Sequence, residues 1–108
     1  MKFRFALLLS LSLATVVQAE EETAAETWTA KCKSCHGPDG KAQTQMGKKE
    51  AIGDISLPAW QGAHSDADIR RVIAEGSEKN KKMKAYKDKL SPAQIDALVT
   101  YVRSLKKG

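Results

Sequence analysis

The chain has 108 residues, a length that predicts one compact domain and argues against a multidomain enzyme. Hydrophobic residues make up 42% and charged residues 29%, a globular composition that excludes low-complexity disorder and a membrane bundle. The formal net charge of +5 gives a basic surface suited to an acidic protein, anionic lipid or nucleic acid, and charge alone does not choose among them.

The N-terminal residues have the pattern of an export signal. Lys2 and Arg4 precede a mainly apolar stretch from Phe5 to Val17, and a small-residue cleavage site ends at Ala19. The apolar stretch is shorter than the roughly 20 residues that a membrane-spanning helix needs. We therefore predict a signal peptide at residues 1–19 and an exported domain without a membrane span at residues 20–108.

The first predicted helix runs from about Thr23 to Cys35, a segment rich in Ala and without Gly or Pro. The Gly-Pro-Asp-Gly sequence at 37–40 breaks any regular element and ends it. A small exported domain buries little surface and usually needs disulfides, a metal or a cofactor. Because only two residues separate Cys32 from Cys35, a disulfide between them would stabilise little, and a cofactor is the better candidate.

The sequence Cys32-Lys33-Ser34-Cys35-His36 is C-x-x-C-H, the spacing typical of covalent haem attachment. Two thiols on one helical turn reach the two vinyl groups at one porphyrin edge, and the adjacent His36 places its imidazole under the iron. We therefore predict one haem c, bound through Cys32 and Cys35 with His36 as proximal ligand. The other ring nitrogen of His36 is expected to donate its proton to a backbone carbonyl.

Two other chemistries use paired cysteines. A redox-active C-x-x-C of the thioredoxin kind belongs in a βαβ setting, and no segment here alternates with the period of a strand. A structural zinc site needs two further ligands, for which the sequence offers only His36 and His64. Both stand as alternatives to haem.

Residues 41–63 are predicted to form a loop, because glycines and Pro58 are spaced through them, and a loop this long usually wraps something functional. Within it, Trp60 is expected to lie in the core, with donation of its N–H to a haem propionate as the alternative. The second helix is predicted to begin at the N-cap Ser65 and to stop at Gly76. Its apolar face consists of Ile69, Val72 and Ile73.

A six-coordinate haem needs a second ligand from its opposite face, and a thioether there favours Fe(II) and raises the potential. The candidates are Met46, His64 and Met83. Met46 is only ten residues after His36, so a very short loop would have to pass around the haem edge. Met83 lies far enough along the chain to reach the opposite face of the haem. His64 would give a bis-histidine haem of lower potential.

The third helix is the clearest of the predicted elements. Ser91 as N-cap, Pro92 at the first helical position and Gln94 form a capping box. Arg103 and the lysines after it complement the helix dipole at the C-terminal end. The apolar stripe of this helix consists of Ile95, Leu98, Val99, Val102 and Leu105. Three helices and no strand pattern predict an all-α fold.

Together these motifs resemble the small soluble class I c-type cytochromes of bacteria. C-x-x-C-H-G-P stands near the start of the predicted mature chain, Lys-Met-Lys-Ala-Tyr follows at 82–86, and Leu-Ser-Pro at 90–92 opens the last helix. The likeness spans residues 23 to 106. It implies Met83 as axial ligand and a small cytochrome c fold in which the first and last helices cross. It also implies that Trp28 packs on Leu98 and Tyr101.

Two positions depart from the pattern of this family. Many members have Pro directly after the axial Met, where this chain has Lys84, so a less rigid ligand loop and a weaker iron–sulfur bond are expected. Many also have Gly eight residues before the first Cys. Here that position is Ala24, which is still small enough for a close helix crossing.

Lysines crowd the segment around Met83, namely Lys79, Lys81, Lys82, Lys84, Lys87 and Lys89. A charge run is usually a solvated face, but around a haem edge it would steer an acidic redox partner. Nucleic-acid binding is not expected, since aromatic residues are not interleaved with these cations and the chain carries an export signal. A monomer is expected because no spare apolar helix face is evident.

Two functions follow from these predictions. In the first, the chain is not an enzyme but a periplasmic electron carrier, anchored through Cys32 and Cys35 and ligated by His36 and Met83. In the second, an open or labile sixth position performs peroxidase-type or gas-binding chemistry, with the ligand loop that lacks proline as its only support. The sequence does not distinguish an independent carrier from a haem subunit of a larger oxidoreductase.

Overall fold

The computed structural model describes residues 22–107, so the predicted signal peptide at 1–19 lies outside the described residues. Every regular element within residues 22–107 is helical, in agreement with the all-α prediction. Over the same range, no helix combines the length and the hydropathy that crossing a bilayer requires.

Helix α1 is continuous but changes its winding along its length. It is α-helical over Ala24–Thr27, π-helical over Trp28–Cys32 and α-helical again over Lys33–His36. It ends at Gly37, whose φ of 78° is a conformation that favours glycine. The predicted first helix is therefore confirmed, and it contains a π-helical segment, a feature often found near functional sites.

The segment predicted as a loop, 41–63, contains two short helices, α2 (Gln45–Lys49) and α3 (Pro58–Ala63). Thr44 caps α2 by accepting a hydrogen bond of 2.8 Å from the N–H of Gly47. The loop prediction is wrong over these helices because glycines within both of them weaken the local signal. Helices this short depend on tertiary contacts rather than on propensity.

The last two helices, α4 (Asp66–Glu75) and α5 (Pro92–Ser104), confirm their predicted caps. Ser65 accepts a hydrogen bond of 3.1 Å from the N–H of Asp68, and α4 ends at Gly76. At the start of α5, Ser91 and Gln94 form both hydrogen bonds of the capping box. Local sequence signals alone therefore place the starts of α4 and α5 correctly.

Helices α1, α4 and α5 enclose one apolar core. The first turn of α1 and the face of α4 both pack against α5. Ala24 lies partly buried against this core, and Leu105 at the end of the predicted stripe is half-buried. The core residues are Trp28, Ile55, Ile69, Ile73, Ala74, Leu90, Ile95, Leu98, Val99 and Val102.

Arg103 joins α5 to α3. The sequence predicted only that its charge complements the dipole at the C-terminal end of α5. Its guanidinium donates to the carbonyl oxygens of Gln61 and His64, each at 2.6 Å, and pairs with Asp66 at 2.7 Å. The buried Gln61 amide donates in turn to the Val102 carbonyl at 3.0 Å. Since the last carbonyls of a helix lack partners within it, Arg103 serves as the cap of α3.

Candidate functional site

The C-x-x-C-H residues lie together at the C-terminal end of α1. Cys32 ends the π-helical segment, and Cys35 and His36 lie in the α-helical turn that follows. Both thiols are half-buried and free, with no disulfide between them. The structure therefore brings the two predicted attachment residues and the predicted proximal ligand onto one stretch of helix.

Burial raises the pKa of Cys32 to about 11, and the nearby Lys31 offsets this only in part. The thiol is therefore protonated at neutral pH. A thioredoxin-type nucleophile needs a lowered pKa, so the electrostatics of Cys32 disfavour that alternative. Nor do any three His, Cys, Asp or Glu side chains within residues 22–107 form a group that could hold a metal ion.

His36 points into the protein beside Trp28, with 5.7 Å between the two ring centroids. Burial lowers the pKa of His36, so its imidazole is neutral, the form in which histidine ligates metals. Its Nδ1 atom is buried and has no hydrogen-bond partner in the part of the chain that the structure describes. The predicted donation from the ring to a backbone carbonyl is thus absent at Nδ1.

These residues fit a haem c. A buried imidazole nitrogen without a partner is rare, because it loses hydration and gains nothing in return. A haem iron would bind a nitrogen of this neutral imidazole, and the two free thiols of Cys32 and Cys35 on the same stretch of helix would supply the attachment points.

Trp28 holds the backbone next to this motif. Its side chain is 3% exposed, and its indole N–H donates to the Gly37 carbonyl at 2.9 Å. Its ring lies 5.3 Å from the Tyr101 ring and belongs to the same buried cluster as Leu98. The predicted packing of Trp28 on α5 is confirmed, and its unpredicted hydrogen bond fixes the turn directly after His36.

Helix α2 packs on the end of the attachment helix. The Thr44 hydroxyl donates to the Cys35 carbonyl at 2.9 Å. Gly47 approaches so closely that a Cβ there would lie 2.7 Å from the same carbonyl oxygen and would also overlap the Ala42 carbonyl. Sequence reasoning assigned no role to Thr44 or Gly47, although a threonine followed by a glycine three residues later is compatible with a capped, tightly packed turn.

Met83 is partly buried against the apolar core, in the loop between α4 and α5. Its N–H donates to the Asn80 carbonyl at 3.0 Å, and its carbonyl accepts from the N–H of Ser77 at 3.1 Å. Gly76 has a φ of 83°, and a Cβ on it would lie 2.8 Å from the Met83 carbonyl oxygen. The loop that carries Met83 is therefore closed tightly onto the end of α4.

Tyr86 connects this loop to the attachment helix. Its hydroxyl donates to the Lys31 carbonyl at 3.4 Å, and its backbone N–H donates to the Ile73 carbonyl at 3.1 Å. Burial raises the pKa of Tyr86, and the nearby Cys32 and Cys35 thiols act in the same direction. Tyr86 thus places the Met83 loop beside the C-x-x-C-H residues, a role that the sequence motif alone did not indicate.

The other residues considered as ligands occupy α2 and the end of α3. The His64 ring packs on Trp60 with 4.5 Å between centroids, and its carbonyl accepts from Arg103. Trp60 is partly buried against the core, as expected. Met46 lines a shallow open cavity with Ser34, Gln45 and Lys49.

The six lysines around Met83 are all exposed. Lys82 forms an ion pair with Glu50, with 2.6 Å between Nζ and Oε1, and the Lys89 ammonium lies 6.0 Å from the centroid of the Tyr86 ring. The surface of the Met83 loop is therefore strongly basic, as the sequence indicated.

Residues 19–102 match the family described as cytochrome c oxidase, cbb3-type, subunit III. The chain is 34% identical over 84 residues to the cbb3-type cytochrome c oxidase subunit FixP of Azorhizobium caulinodans. It is 37% identical over 87 residues to the subunit CcoP of Rubrivivax gelatinosus. Each alignment covers 78% of this chain and 27% of the relative, so the chain spans about a quarter of the length of these relatives.

A solved structure, that of the KustC0563 c-type cytochrome, superposes on the chain with a TM-score of 0.71. The two are 34% identical, and the match covers 80% of this chain and 100% of that one. The helical arrangement predicted from the sequence is therefore that of a solved c-type cytochrome, and the small cytochrome c fold is confirmed.

Proposed function

Since the chain belongs to the family of cbb3-type cytochrome c oxidase subunit III, we propose that it is a monohaem electron carrier with His36 and Met83 as axial ligands. Membership of this family implies covalently bound haem c, and the one C-x-x-C-H sequence of this chain, with Cys32 and Cys35, supports a single haem. The observation that carries the proposal is the buried, neutral imidazole of His36 beside the two free thiols of Cys32 and Cys35 on one helix.

Haem c, when bound, supplies a one-electron Fe(II)/Fe(III) couple. The residues of the chain set the behaviour of that couple. Trp28 and the apolar core exclude water around His36, and a Met83 thioether favours the reduced state. If His36 and Met83 both held the iron, no position would be left for a substrate, so the proposed function includes no enzymatic reaction.

The basic surface around Met83 supports an acidic redox protein as the partner. Exposed lysines at the point where electrons enter or leave accelerate encounter with an acidic surface and make the association sensitive to salt. The export pattern at residues 1–19 supports the periplasm as the location. We propose a soluble monomer that diffuses between its redox partners.

A second function is favoured by the names of the curated relatives. FixP and CcoP are subunits of cbb3-type cytochrome c oxidases, and this chain is similar to about a quarter of each. A role as the haem subunit of a larger oxidoreductase is therefore the alternative. Size-exclusion chromatography of a cell extract prepared with mild detergent separates the two, since a carrier elutes as a monomer and a subunit elutes with its complex.

The experiment that tests six-coordination is exposure of the reduced, haem-loaded protein to carbon monoxide. CO binds ferrous haem readily only where the sixth position is open or labile. We expect the absorption spectrum to stay unchanged under CO. A rapid shift of the main haem band would contradict the carrier proposal and support gas-binding or peroxidase-type chemistry.

A further inference from the structure

The loop that carries Met83 contacts helix α2 as well as the end of α4. Lys82, directly before Met83, forms an ion pair of 2.6 Å with Glu50, the residue that caps the C-terminal end of α2. The Glu50 side chain is only 19% exposed, whereas the acidic side chains of the other ion pairs are 42% to 73% exposed. Since the Lys82 side chain is 54% exposed, the pair is shielded from water at its Glu50 end only, and a contribution of the size usual for a surface ion pair is expected.

The residues before Met83 form a compact turn at this carboxylate. The Asn80 side-chain oxygen accepts from the N–H of Lys82 at 3.0 Å, and the Asn80 carbonyl accepts from the N–H of Met83 at 3.0 Å. The hydrogen bond from Lys82, with Asn80 acting in the same direction, lowers the pKa of Glu50. Glu50 is therefore ionised at neutral pH, and the turn has a fixed negative partner.

Helix α2 connects that partner to the attachment helix. The N–H of Glu50 donates to the Met46 carbonyl at 2.9 Å, which makes Glu50 part of the last turn of α2. At its other end, α2 is bound to Cys35 through the Thr44 hydroxyl at 2.9 Å. Contacts thus run without a break from Cys35, through α2 and Glu50, to the residue before Met83.

We propose that Glu50 is a positioning residue for Met83, holding the axial ligand in register with the attachment helix through Lys82. In this chain Lys84 stands where many family members have a proline after the ligand. The ion pair between Glu50 and Lys82 restrains the same loop through a contact between distant segments, where a proline would restrain it from within. The inference rests on the proposed ligation by Met83.

The test is an imidazole titration of the oxidised, haem-loaded protein. Added imidazole takes the sixth position only when the Met83 loop opens, so its apparent affinity reports the open fraction. We expect Glu50→Gln to bind imidazole about two- to fivefold more tightly than the wild type, the effect of losing one partly shielded ion pair. The matched control is Asp68→Asn, which removes the same charge from a pair within α4 and leaves imidazole affinity unchanged.

Exchanging the two charges of the ion pair should restore the wild-type imidazole affinity. The double variant Glu50→Lys with Lys82→Glu rebuilds the pair in reverse and should bind imidazole with nearly the wild-type affinity. Wild-type imidazole affinity in Glu50→Gln, or an exchange variant no closer to the wild type than Glu50→Lys alone, would overturn the positioning role.

A Met83→Ala variant separates this inference from the proposed function. Methionine-ligated ferric haem has a weak far-red absorption band. If Met83→Ala retains the band, Met83 is not the ligand, and the ligation proposal and this inference both fail. If Met83→Ala loses the band while Glu50→Gln behaves like the wild type in the imidazole titration, only the positioning role fails.

Discussion

The two halves of the site are built in different ways. The attachment half, Cys32–His36, comes from one helix whose end is held by the buried Trp28 indole and by α2. The Met83 half is a loop with exposed lysines, held by backbone hydrogen bonds and by contacts to residues distant in sequence. The first half is therefore held by a buried core residue, Trp28, whereas the second depends on contacts between distant segments and presents an exposed, charged surface.

The largest expected effect comes from removing the attachment itself. Cys32→Ala with Cys35→Ala should carry no covalent haem and show weak helical circular dichroism, because so small a domain has little core of its own. The measurement is haem staining after denaturing electrophoresis, together with the circular dichroism spectrum. Ser34→Ala changes an exposed residue on the same turn and should retain the haem. A native-like spectrum and a cooperative melt in the double variant would contradict this dependence on haem.

Next in size is the support of the attachment half. Trp28→Ala should lower the free energy of unfolding by about 3–5 kcal/mol, the usual effect of truncating a buried aromatic residue. Trp28→Phe keeps most of the ring but loses the hydrogen bond to the Gly37 carbonyl, and should cost about 1–2 kcal/mol. Denaturant titration of the haem-loaded protein measures both changes. Equal stability of the two variants would show that burial of the ring contributes little.

A smaller and more local effect is expected in the Met83 half. Gly76→Ala places a Cβ against the Met83 carbonyl at a positive φ, and should cost about 1–3 kcal/mol. It should also weaken the far-red band while the covalent haem stays. Gly62→Ala is the control, because a Cβ there meets nothing within 4 Å. A far-red band of full intensity in Gly76→Ala would mean that the loop reaches its position without this close approach.

The smallest effect concerns the basic surface. Lys84→Gln should slow oxidation of the reduced protein by ferricyanide, a multiply charged anion, by about twofold at low salt. The difference should disappear at high salt, where charges are screened. Stopped-flow absorbance measures the rate, and Lys106→Gln, beyond the end of α5, serves as the control. Equal slowing in both variants would indicate an effect of net charge and no local basic site.

The attachment half was predictable because its information is local. The C-x-x-C-H spacing and the breaker at 37–40 each depend on a few neighbouring residues, and the structure contains both. The caps of α4 and α5 at Ser65 and Ser91 were predictable for the same reason. Hydrophobic periodicity located the buried face of α5 for the same reason. The packing of Trp28 on Tyr101 followed from the family resemblance and is confirmed.

What the sequence did not show depends on long-range contacts. Helices α2 and α3 both contain glycine, which weakens the local helix signal. Helix α2 packs on the attachment helix because Gly47, without a Cβ, can approach the Cys35 carbonyl closely. Arg103 caps a helix far from it in sequence, and Glu50 meets Lys82 across a similar separation. No local pattern marks such pairs, since the partners become neighbours only after the chain has folded.

The central claim, a haem c ligated by His36 and Met83, is tested most directly by the visible absorption spectrum of the purified protein. The account predicts sharp bands of a c-type haem on reduction and a weak far-red band on oxidation, which Met83→Ala abolishes. Haem bands without the far-red feature would contradict ligation by Met83 and point to His64 or an open site. No haem at all would return Cys32 and Cys35 to thiol or zinc chemistry.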